Sequence, residues 1–146
     1  MIRESILLEM RHGHVTQREL SSALGIDYST LNSFLRGKKS MWFWRIQCIM
    51  DYLGLHTEGE FAGGEQSISQ AAWLEMRHRK IKPADLAAEV GMSYGALTTF
   101  LNGNGGISLD RAERIIEYLG LRIKPNDDRH RKDRTNRAHL QGRAEA

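Results

Sequence analysis

Tyr28, Ser29, Asn32 and Ser33 stand just before three cations, Arg36, Lys38 and Lys39. At helical period the four lie opposite the apolar Leu31, Phe34 and Leu35. A side-chain amide can exchange two hydrogen bonds at once with a planar edge such as that of adenine, and a hydroxyl can donate or accept. The cations suit phosphate oxygens. A second set follows at Tyr94, Thr98 and Thr99, with Asn102 and Asn104 behind it and no basic residue on that face. Other chemistries find less support. No nucleophile stands at a meaningful spacing from a base. GNGG at 103–106 reads as a turn, not a phosphate-binding loop. His12 and His14 lack the further ligands a zinc site needs. An enzyme is not expected, nor are a metal, a cofactor or a small-molecule ligand.

The two sets are related. LEMRH occurs at residues 8–12 and again at 74–78, and the likeness continues at that offset without a gap. Leu20 falls on Leu86, Gly25 on Gly91, Tyr28 on Tyr94, and Phe34-Leu35 on Phe100-Leu101. Arg45 falls on Arg111, and Tyr52-Leu53-Gly54-Leu55 on Tyr118-Leu119-Gly120-Leu121. About 18 of ~50 paired positions are identical, as in a tandem duplication.

The elements that must hold these residues read as helices throughout. Ile6, Leu7 and Met10 form a short apolar stripe. Thr16 with Glu19 has the form of a capping box opening a helix over 17–24. Gly25 can end it in left-handed geometry. Asp27 can cap the next helix, 28–35, and a last helix runs from about Trp42 to Leu53. The second copy repeats the plan, with Pro83 at a first helical position and Ser93 and Ser108 as caps. Strand runs and hairpin dipeptides are missing, so an all-α chain is expected.

Composition sets outer limits. The 146 residues carry a net charge of +3, with a single cysteine, Cys48. That excludes an intrachain disulfide framework and fits a reducing compartment. No apolar run approaches a membrane span, and MIRESILLEM is not a secretory signal. A cytoplasmic protein without a membrane partner is expected.

A helix, a short Gly turn and a second helix, TQRELSSALGIDYSTLNSFLRGKK, resemble the helix-turn-helix of the phage Cro/CI-like (XRE-type) repressor family. DLAAEVGMSYGALTTFLNGNGGISLDRAERIIEYLGL is similar to the same family. The likeness covers residues 5–57 and 69–123. It implies two tandem four-helix, lambda-repressor-like domains, 1–57 and 67–123. An acidic, Gly-containing linker, 58–66, would join them, and a disordered basic tail would follow over 124–146. It further implies that Gln17 holds phosphate and braces the recognition helix. Tyr28, Ser29, Asn32 and Ser33 would face the bases, with Arg36, Lys38 and Lys39 on the backbone. Helix 28–36, with 94–102 as a second candidate, would enter the major groove. Tyr28 and Tyr94 either face bases or cover the helix starts.

The function so implied is sequence-specific binding of double-stranded DNA by a transcriptional regulator, with a repressor favoured by family habit. The first copy is the stronger candidate reader, because Pro83 replaces Gln17 in the second and the three cations are gone. The alternative is a protein-interaction or antitoxin-like adaptor working through the second copy and the Trp42/Trp44 face. A homodimer or an intramolecular pseudo-dimer would present two readers. Fully extended, the joining segment, about His56 to Gln66, spans at most ~36–40 Å, and as a flexible coil it averages nearer ~17–20 Å, so half-sites ~34 Å apart are within reach.

Overall fold

The computed structural model describes residues 1–104 and 107–126. The order is α1 (Ile2–His12), α2 (Gln17–Leu24), α3 (Tyr28–Leu35), α4 (Phe43–Leu53), β1 (Leu55–Glu58), α5 (Ile68–Arg79), α6 (Pro83–Val90), α7 (Tyr94–Leu101), α8 (Leu109–Leu119) and β2 (Arg122–Pro125). The chain is predominantly helical, and α5–α8 follow α1–α4 in order and nearly in length.

Local chemistry accounts for the helix ends. The Thr16 hydroxyl accepts from the Glu19 N–H. The other half of that capping box does not form, because the Glu19 carboxylate accepts instead from the Tyr52 hydroxyl at 2.7 Å. Asp27, Ser93 and Ser108 cap α3, α7 and α8, each accepting an N–H three residues on. Gly25 closes α2 at φ 64°, a left-handed conformation that costs a side chain and not a glycine. Ser67 and Gln70 form a complete capping box on α5 that the sequence reading passed over.

Two expectations are corrected. The all-α class stands, but the expected absence of strands does not, since β1 and β2 pair as an antiparallel ribbon. The joining segment is not a flexible coil: β1 occupies its start, Thr57 N–H donates to Gln66 O, and Gly59 N–H donates to Ala62 O. The ribbon also takes Lys124 and Pro125 out of the expected tail; residues 127–146 lie outside the described residues.

Glu75 pins the join. This fully buried carboxylate accepts from the N–H groups of Phe61 and Ala62 at 3.2–3.3 Å and from Arg79 at 3.2 Å. A side chain at Gly59 would collide with it, since a Cβ there would lie 2.5 Å from Oε2. Phe61 stacks on His78 with ring centroids 5.3 Å apart. The glutamate and histidine of the second LEMRH thus hold the turn after β1. Glu9, its counterpart in the first, is also buried.

The ribbon ties the two halves together. It pairs Leu55 with Pro125, His56 with Lys124, Thr57 with Ile123 and Glu58 with Arg122. Thr57 and Ile123 are also repeat partners, so each strand meets its own equivalent about a shared centre. β1 packs on α5 and β2 on α1. Lys124 reaches the Glu58 carboxylate at 2.9 Å. That contact and the His56 hydrogen bond hold the Glu58 carboxyl below its usual range. Deeper in, Phe43 of α4 meets Phe100 of α7 edge to face, 5.0 Å between centroids. The Gln47 carbonyl accepts from the Ile68 N–H at 3.1 Å. The buried apolar side chains of both halves form one continuous cluster.

Candidate nucleic-acid interface

Two short helices, α3 and α7, carry the polar sets. Each follows its neighbour across a Gly turn, α3 packing on α2 and α7 on α6. Burial of Leu31, Phe34 and Leu35, each worth about 1.5–3 kcal/mol, fixes the inward face of α3. Leu97 and Phe100 do the same for α7. What remains turned outward follows from that anchoring.

On α3, Tyr28 and Ser29 are exposed, and Asn32 and Ser33 half-buried. Arg36 is the C-cap residue, and Lys38 and Lys39 lie exposed on the following turn. Ser29 is not idle. Its hydroxyl donates to Asp27 Oδ2 at 2.8 Å, and this bond, with the Thr30 N–H, holds the Asp27 carboxyl below its ordinary value. Ser29 therefore offers a partner its lone pairs more readily than its proton. Gln17, at the first position of α2, is half-buried, and its Oε1 is enclosed without a hydrogen-bond partner among the described residues.

On α7, Tyr94 and Thr99 are exposed and Thr98 is half-buried. Both threonines spend their protons on the Gly95 carbonyl, at 3.0 and 2.8 Å, leaving acceptors to face outward. Asn102 and Asn104 are exposed beyond the helix. Pro83, in Gln17's place, joins Trp73, Ile81, Thr98, Leu101 and Asn102 around a groove beside α7. The Arg77 guanidinium lies 5.0 Å above the Trp73 ring. The two outward faces thus differ: amide, hydroxyls and cations on α3; hydroxyls and amides on α7.

One residue that matters was missed. Arg3 sends Nε to the Phe34 carbonyl at 2.7 Å and places its guanidinium over the Phe34 ring. It is a second donor to an oxygen that already accepts from the Gly37 N–H at 3.0 Å, and its charge opposes the negative end of the α3 dipole. Only its distance in sequence from α3 hid this role. Trp42 and Trp44 flank the start of α4 and are 64% and 55% exposed. Arg45 covers the Trp44 ring at 5.3 Å.

Comparison with known families bears on the second half. Residues 73–124 match the family model of the Cro/C1-type HTH DNA-binding domain. The match spans most of α5, all of α6, α7 and α8, and nearly all of β2. It supports the helix-turn-helix family for that segment and does not extend to residues 1–72. No curated protein and no solved structure matches the chain. No helix among the described residues is long and apolar enough to cross a membrane.

Proposed function

We propose that this chain binds double-stranded DNA in a sequence-specific manner and regulates transcription, with repression the favoured mode. The observation that carries the reading is α7, a helix inside the matched DNA-binding segment that turns a polar face outward. The first half is proposed as a second helix-turn-helix unit, because α2 and α3 have the lengths and the Gly turn of α6 and α7, α3 carries a side-chain cap as α7 does, and the cations that α7 lacks are added. Together they would act as an intramolecular pseudo-dimer, joined at the ribbon, with α3 as the main reader and α7 as a weaker one. Tyr28, Ser29, Asn32 and Ser33 are assigned to base edges. Arg36, Lys38, Lys39 and Gln17 are assigned to phosphates. On α7, Tyr94, Thr98, Thr99, Asn102 and Asn104 take the corresponding places. Because the two faces differ, the site should be asymmetric.

The exposed tryptophans favour a second reading, an adaptor that meets a protein through the Trp42/Trp44 face and the second half. Selection from a random duplex pool at near-physiological salt separates the two. Enrichment of a motif supports the regulator; a folded protein that enriches nothing contradicts it.

A further inference from the structure

Trp42 is expensive where it stands. It is the N-cap residue of α4, makes no side-chain cap, and leaves nearly two-thirds of its surface in water. At the equivalent place in the second half Ser108 caps α8 through the Arg111 N–H. Trp42 therefore gives α4 neither the cap a serine would supply nor the burial an indole could gain. A large apolar ring so placed is suited to contact with something outside the chain.

Its surroundings point to what. Trp42 lines a shallow cleft with Thr30, Met41, Arg45, Ile107 and Ser108. Met41 and Ile107 are repeat partners, as are Trp42 and Ser108. The cleft therefore lies where the two halves meet at equivalent positions, midway between them. Thr30 joins it to the flank of α3, and the loop leading in carries Arg36, Lys38 and Lys39. Asp110, the carboxylate at Trp44's repeat position, does not line it. Cationic surroundings fit a polyanion.

We propose that this cleft meets the minor groove at the centre of the DNA site, with the Trp42 indole against the groove floor. The proposal rests on the reading of α3 and α7 as paired DNA readers. When two helices enter successive major grooves on one face of a duplex, the groove turned toward the protein at the midpoint is the minor one. Apolar side chains placed there press on or between base steps. The exocyclic amine of guanine projects from that floor, so a G·C pair obstructs an indole that an A·T pair admits. Because Ser108 stands opposite Trp42, the contact is one-sided.

The test holds the selected half-sites fixed and varies the central base pairs among A·T, G·C and inosine·C. Inosine removes only the minor-groove amine. Wild-type protein should bind A·T and inosine·C centres about tenfold more tightly than G·C, the scale of one unfavourable base pair. Trp42→Ser, which restores the serine cap and should melt no lower than wild type, should bind all three alike and keep its salt dependence. Equal wild-type affinity for inosine·C and G·C centres, or discrimination that survives Trp42→Ser, overturns the proposal while leaving DNA binding intact. Failure of the wild-type protein to bind any duplex would overturn the underlying reading as well.

Discussion

Replacing Glu75 with alanine should loosen the joint between the two halves. The carboxylate serves the N–H groups of Phe61 and Ala62 and the Arg79 guanidinium at once. Ala62 is itself buried, so its freed N–H gains no water in exchange. A buried donor left unsatisfied costs about 1–3 kcal/mol, and losing charge-assisted bonds adds to it. Arg79 adds less to that cost, because its side chain is 30% exposed and Glu60 lies 3.8 Å away. In a chain of this size each kcal/mol moves the melting temperature by roughly 3–5 °C. The Ala variant should therefore melt about 10–20 °C below wild type. Glu75→Gln keeps the volume but turns an NH2 toward donors, and should fall between the two. Thermal unfolding followed by circular dichroism reads both. An Ala variant melting within about 3 °C of wild type would refute the assignment of Glu75 as the anchor of the turn.

Thr57 presents the opposite case. Its hydroxyl is buried at the centre of the ribbon with no hydrogen-bond partner among the described residues, facing an isoleucine. Thr57→Val should stabilise the chain by about 1 kcal/mol, measured by denaturant titration; a loss of stability would show the hydroxyl to be partnered. Removing the three cations in Arg36→Ala/Lys38→Ala/Lys39→Ala should make the plot of log affinity against log salt shallower by about 2.7, from ~0.9 per phosphate contact. An unchanged slope would take these residues off the backbone. Arg3→Ala should free the end of α3 at a cost of about 1–2 kcal/mol, combining a lost hydrogen bond with a lost charge–dipole contact. Hydrogen exchange at the amides of Phe34, Leu35 and Arg36 would reveal it as faster local opening.

The helices were largely legible in the sequence because their signals are local. Thr16, Gly25 and Asp27 bracket α2 and α3 within a dozen residues, and Pro83 and Ser93 do so for α6 and α7. The ribbon was not legible. LHTE and RIKP are four residues each, and neither makes a strand without the other, more than sixty residues away. Read alone, Glu58, Gly59 and Glu60 look like linker. They become structure only once Lys124 and the buried Glu75 are in place. The outward sets on α3 and α7 could be read from period alone. Their hydrogen bonding could not: the Ser29–Asp27 bond and the two threonines bonded to Gly95 depend on side-chain rotation.

The central claim is that one chain presents two readers to one face of a duplex. Hydroxyl-radical footprinting of a selected duplex, with the protein-to-DNA ratio measured in the same complex, tests it most directly. The account predicts one chain per duplex and two protected patches about one turn apart, which an insertion of about five base pairs between them would uncouple. Two chains per duplex, or a single protected patch indifferent to the insertion, would contradict it.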